Sequence, residues 1–164
     1  MIRAQRNHII NATPDEIWAV LSRYMHIDEF CAGITHVDAL TTGEDGVGSK
    51  RRNNFADDNG SMVEEVIEWT VNRGYKVRMS EMTKFPAKEA VAFITLEPVG
   101  GKTRVNWGME FRMKFGPLGW LMGQTMIKMM MGKVIDSNLK GLDECVRKGQ
   151  GATVTSIEKN SLSA

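Results

Sequence analysis

The sequence is poor in cysteine: it contains only Cys31 and Cys145, which lack the C-x-x-C spacing. Two cysteines cannot build the disulfide framework of a small secreted protein, which favours a reducing compartment. The N-terminus has no apolar signal-peptide core, and no segment approaches the run of about 18 uncharged apolar residues that a membrane-spanning helix needs. We therefore expect a cytoplasmic protein without stable membrane insertion.

An excess of charge of either sign is also missing, because 21 Lys and Arg residues face 20 Asp and Glu residues. Such a balance creates no overall field for nucleic acid, and the basic run at 50–52 has no interleaved aromatic residues. The chain has only three histidines, His8, His26 and His36, and they show no metal-ligand spacing. The sequence thus predicts no nucleic-acid partner, no metal and no cofactor.

What the sequence does contain is a series of strand patterns separated by short turns. Because short loops join consecutive strands, the neighbours should be antiparallel. The last strand is the clearest, since its odd-numbered positions from Thr103 to Phe115 are nearly all apolar and should face the core. The predicted strands span residues 2–11, 33–41, 47–56, 61–72, 75–83, 88–97 and 102–115.

Helical patterns flank these strands. Thr13 offers an N-cap and Pro14 a first helical residue for a short helix, and a second short helix or turn should follow near 26–31. A period of 3.6 residues predicts a long helix from Leu118 to about Arg147, with a broad apolar stripe, that ends at Gly149 and Gly151. We expect one domain over residues 1–149 and a flexible tail over 150–164.

Four segments in this order resemble the START and birch-allergen-like superfamily, and within it the bacterial polyketide cyclase/dehydrase and lipid-transport family. They lie at 10–18, 46–51, 65–69 and 103–107. The resemblance implies an α+β helix-grip fold, in which a curved antiparallel sheet of about seven strands wraps a long C-terminal helix, with two short helices after strand 1. It also implies a cavity between sheet and helix, which family members use for different ligands.

Methionines cluster in the last strand and the long helix, and methionine lines surfaces that adapt to several apolar shapes. Plain core filling is the competing interpretation. The residues that we expect to line a ligand cavity are Phe55, Trp69, Trp107, Met109, Phe111, Met122, Met126 and Ile127, with Arg51 and Glu65 as polar anchors.

Glu65 shares a predicted strand face with apolar Val63, Ile67 and Trp69, so its carboxylate needs a partner, which Arg51 can supply from the neighbouring strand. Such a pair could orient the polar head of a ligand or transfer protons. The alternative is that a bulge shifts the register by one residue and places both charges in solvent.

The first functional hypothesis is a protein that binds or carries an apolar small molecule such as a lipid, a quinone or a polyketide. The second is an enzyme of the cyclase, aromatase or dehydrase type, for which Glu65 and His36 are the catalytic candidates. The third is a protein-interaction module, which would require a contiguous exposed patch around Trp120 and Leu121.

Overall fold

The computed structural model describes residues 1–43, 45–56, 60–114, 116–117, 121 and 123–161. Seven strands form one antiparallel sheet in the order β1-β7-β6-β5-β4-β3-β2. The seven-stranded helix-grip architecture predicted from the sequence is confirmed. The strands are β1 Ile2–Ile10, β2 Ile34–Ala39, β3 Lys50–Phe55, β4 Ser61–Thr70, β5 Gly74–Ser80, β6 Ala87–Val99 and β7 Lys102–Met113.

Two short helices connect the edge strands β1 and β2. Helix α1 spans Pro14–Leu21, and a 3-10 helix spans Tyr24–Glu29. The predicted cap is confirmed as a capping box: the Thr13 hydroxyl accepts a hydrogen bond from the Glu16 amide, and the Glu16 side chain accepts one from the Thr13 amide. Ile17, Trp18 and Leu21 are buried, so α1 covers the inner side of the sheet.

Strand β7 shows the predicted alternation. Thr103, Val105, Trp107, Phe111 and Met113 are buried, whereas the residues between them are more exposed, apart from the buried Gly108. Phe115, at the end of the predicted strand, lies outside the described residues. The inner face of β7 therefore forms one wall of the core, as expected for a sheet with one face in water.

The long helix begins with a π-helical turn, Gly123–Ile127, and continues as α2, Lys128–Ser161. The predicted end at Gly149 and Gly151 is wrong. Neither glycine adopts the positive φ angle of a left-handed cap, so the helical backbone continues through both to Ser161. Among the described residues, no helix combines the length and apolar character that a membrane crossing requires.

Helix α2 packs mainly against the edge strand β1, and also against β7 and α1. Polar contacts fix this position: Arg6 Nε lies 3.3 Å from Asp136 Oδ2, and His8 Nε2 lies 2.9 Å from Asp143 Oδ2. Because the helix lies over one side of the curved sheet, the inner faces of β3 to β6 are not fully covered by it.

Helix α2 approaches the backbone of the 3-10 helix end closely at Gly141, where an added Cβ would lie 2.1 Å from the backbone oxygen of Phe30. We expect Gly141→Ala to lower the free energy of unfolding by about 1–3 kcal/mol, because overpacking against backbone outweighs the higher helix propensity of alanine. Gly149→Ala is the matched control, since nothing lies within 4 Å of its added Cβ, and it should be neutral or stabilising. Urea unfolding of both variants tests this, and equal stabilities would contradict it.

Candidate functional site

A cavity of about 690 Å³ lies between the inner face of the sheet and helix α2. Most of its lining is apolar. Strands β3 to β7 supply one side, the 3-10 helix and the start of β2 another, and the helix residues Met130, Met131, Val134 and Ile135 a third. The sheet and loop residues in the lining include Ile27, Ile34, Phe55, Met62, Val77, Met79, Met82, Phe85, Ala92, Ile94, Trp107 and Met109.

One side of the cavity is exposed and the other is buried. Met130 and Val134 are 48% and 47% exposed, and Lys84 in the loop between β5 and β6 is exposed as well. Arg51, Glu64 and Tyr75 also line the cavity but are buried. The exposed lining residues lie on α2 and on the loop that carries Lys84, so the cavity opens between them, and the charged pair lies in its buried part.

The buried polar groups centre on an ion pair between Arg51 and Glu64, whose side chains are 1% and 4% exposed. Arg51 Nε and Nη2 both donate to Glu64 Oε2, over 2.9 Å and 2.5 Å, and Nη1 donates to the backbone oxygen of Tyr24. The guanidinium carbon also lies 3.9 Å from the centre of the Tyr24 ring. These contacts hold both charges in one geometry at the inner end of the cavity.

Burial and the ion pair together shift the pKa values of the groups at this end of the cavity. Burial alone would lower the pKa of Arg51, but the Glu64 carboxylate and the two neighbouring tyrosines raise it overall, so the guanidinium stays charged. Burial raises the pKa values of the Tyr24, Tyr75 and Cys31 side chains, and Arg51 only partly opposes this. The Cys31 thiol is therefore protonated and unsuited to act as a nucleophile.

The predicted buried acid was placed on the wrong residue. Glu65 is one third exposed and lies 3.6 Å from Lys50 and 3.9 Å from Arg78, whereas Glu64 faces inward. The cause is a β-bulge in β4, since Val66 pairs with Val77 and Glu68 pairs with Lys76, which leaves Ile67 as an extra residue. The register-shift alternative is thus right for Glu65 and wrong for Arg51.

The other predicted ligand-binding residues are divided. Arg51, Phe55, Trp107 and Met109 line the cavity, and Met122 lies outside the described residues. Trp69 packs instead against Tyr75 in an aromatic cluster, Phe111 packs against Phe85, and Ile127 is buried in the core at the start of the long helix. Met126 is 60% exposed and does not line the cavity.

The apolar stripe of the long helix is only partly buried. Its residues Ile127, Ile135, Leu139, Leu142 and Val146 are buried in the core and Met131 is partly buried against it, whereas Met126, Met130 and Val134 are exposed. Met130 and Val134 line the cavity, and Met126 faces solvent. The methionines therefore include both core residues, such as Met113, and residues at the cavity.

The chain matches the family described as polyketide cyclase/dehydrase and lipid transport over residues 1–147. The chain belongs to this family. The superfamily predicted from the sequence is confirmed, and membership supports a ligand-binding role. Among curated proteins, none matches the chain.

Three solved structures are similar to this chain over nearly their whole length. TTHA0849 from Thermus thermophilus is 17% identical with a TM-score of 0.72, over 90% of this chain and 98% of that one. XoxI from Bacillus cereus is 15% identical with a TM-score of 0.71, over 92% and 99%. Ara h 8.0201 is 14% identical with a TM-score of 0.66, over 89% and 97%. At these identities the similarity establishes the fold.

Some cavity residues were missed at the sequence level. The alternation of Tyr75, Val77 and Met79 along β5 was a usable signal, because these positions share the inner face. Glu64 had no such signal, since the position of the bulge decides which of two adjacent glutamates faces inward. His36, the second catalytic candidate, is 69% exposed and lies 2.9 Å from Asp38 on the edge strand β2, away from the cavity lining.

Proposed function

We propose that the protein binds an apolar small molecule in the cavity between the sheet and α2. The observation that carries this proposal is the size and lining of the cavity. Its volume of about 690 Å³ lies within the range of about 300–1,000 Å³ typical of small-molecule sites, and apolar side chains dominate its wall.

The driving force would be the removal of apolar surface from water, about 25 cal/mol per Å² before ordering costs are subtracted. Flexible methionine side chains line several sides of the cavity, including Met62, Met79, Met109 and Met131. Since methionine adapts its shape at low cost, the wall suits a lipid, quinone or polyketide-like body better than one rigid shape.

The Arg51 and Glu64 pair would supply orientation. Its position at the buried end means that a ligand with one polar group gains hydrogen bonds only when that group points inward. We infer a cytoplasmic location from the two free cysteines, Cys31 and Cys145.

We propose no reaction. Glu65 and His36, the two candidates for proton transfer, do not line the cavity. The interaction hypothesis requires an exposed patch around Trp120 and Leu121. Leu121 is 57% exposed, but Trp120 lies outside the described residues, so we do not propose this function.

Titration with Nile red, an uncharged dye that fluoresces in apolar surroundings, tests the proposal. We expect saturable binding that is about tenfold weaker in Met131→Gln, because the amide places an unpaired polar group in the apolar wall. Met126→Gln is the matched control, since Met126 is exposed outside the cavity, and it should bind like the wild type. Absence of dye binding, or equal loss in both variants, would contradict the proposal.

A further inference from the structure

The two carboxylate oxygens of Glu64 are used unequally. Oε2 accepts both hydrogen bonds from Arg51, whereas no described residue donates a hydrogen bond to Oε1. Within the described part of the chain, the fully buried side-chain atoms without a hydrogen-bond partner are Tyr24 Oη and the two amide atoms of Asn53, and Glu64 Oε1 differs from them because it is not fully buried. Oε1 therefore keeps accessible surface, and since Glu64 is buried and lines the cavity, we infer that this surface faces the cavity.

The guanidinium group of Arg51 already makes several hydrogen bonds. Three of its five N–H groups donate hydrogen bonds, two to Glu64 and one to the Tyr24 backbone oxygen. Tyr75, which also lines the cavity, carries a hydroxyl that can donate or accept a hydrogen bond, whereas the accessible Oε1 of Glu64 can only accept one. A ligand hydroxyl can therefore donate to Oε1 and also accept a hydrogen bond at this end of the cavity, whereas a group that only accepts leaves Oε1 without a donor.

The charge of the site points the same way. Arg51 and Glu64 cancel, and Asp45 adds a further carboxylate nearby, whose Oδ2 lies 3.1 Å from the Tyr24 amide nitrogen. A ligand carboxylate would bring another negative charge into a buried site where Arg51 is already paired with Glu64, which is strongly unfavourable. Fatty acids are therefore poor candidates for binding with the head group inward.

We propose that the natural ligand is an uncharged amphiphile with a hydroxyl group, alcoholic or phenolic, that donates a hydrogen bond to Oε1 of Glu64. Its apolar body extends through the methionine-lined cavity toward Met130 and Val134 at the mouth. This assignment of the ligand class rests on the proposed function of the cavity.

Three probes with the same number of carbon atoms separate the chemistries: undecanol donates a hydrogen bond, methyl nonyl ketone only accepts one, and undecanoate is an anion at pH 8. Displacement of Nile red from the wild-type protein should give an affinity for undecanol at least about tenfold higher than for either of the others. A ketone or carboxylate that binds as tightly as the alcohol would overturn the assignment. The assignment is also overturned if the carboxylate binds this tightly because its head group lies at the cavity mouth near Lys84.

The double variant Arg51→Met, Glu64→Leu removes both charges together and tests whether the pair is the source of the preference. In this variant the affinities for undecanol and methyl nonyl ketone should come within about twofold of each other. A preference for the alcohol that survives in the variant would overturn the role of Glu64. If Nile red and all three probes fail to bind the wild type, the proposed function itself is wrong, whereas dye binding without the alcohol preference refutes only the ligand class.

Discussion

Replacing Arg51 with methionine should lower the free energy of unfolding by about 3–5 kcal/mol, the largest effect that we expect from a single substitution in this chain. The change leaves the Glu64 carboxylate, 4% exposed, without its counter-ion. It also removes the hydrogen bond to the Tyr24 backbone oxygen and the contact with the Tyr24 ring. Urea unfolding followed by tryptophan fluorescence measures the loss.

Arg52 provides the matched control because it is the next residue on the same strand and pairs with Glu81 in solvent, at side-chain exposures of 36% and 60%. Arg52→Met should cost about 1 kcal/mol or less. The double variant Arg51→Met, Glu64→Leu should recover most of the stability, since no buried charge is left unpaired. Equal losses in Arg51→Met and Arg52→Met would show that the buried pair does not matter for folding.

Filling the cavity should abolish ligand binding without unfolding the protein. Ala92 on β6 is buried and lines the cavity, so the ring in Ala92→Phe occupies space that is otherwise available to a ligand. We expect Nile red affinity to fall by at least about tenfold, while the free energy of unfolding stays the same or rises because apolar surface is buried.

Ala90 lies two residues earlier on β6, is 1% exposed and does not line the cavity. The same substitution there, Ala90→Phe, should overpack the core and cost about 1–3 kcal/mol. If both variants lose the same stability, the space next to Ala92 is as tightly packed as the core, and the cavity argument fails. If Ala92→Phe binds the dye normally, the dye binds elsewhere.

The fold could be predicted from the sequence because its determinants are local. The Thr13 and Pro14 cap, the turns between strands, the alternation in β7 and the period of the long helix each depend on residues close in the chain. The end of the long helix could not be predicted in this way. Glycine permits a left-handed cap but does not require one, and Gly149 and Gly151 stay helical.

The site was less predictable because it depends on two features that the sequence pattern does not encode. The first is the bulge at Ile67, which exchanges the faces of Glu64 and Glu65 while leaving Trp69 inward. The second is the position of the long helix over β1, which decides that Ile127 enters the core and that Met126 stays in solvent. Arg51 could be predicted because no bulge separates it from the inward positions Asn53 and Phe55.

The most direct measurement of the central claim is native mass spectrometry of the wild-type protein and of Ala92→Phe, both purified without denaturant and then mixed with undecanol. We predict a one-to-one complex for the wild type, and its loss in Ala92→Phe at the same alcohol concentration. A wild-type protein that retains only its own mass with undecanol and also with Nile red, under conditions where other protein–lipid complexes survive, or a complex of equal abundance in Ala92→Phe, would contradict a ligand site between the sheet and the long helix.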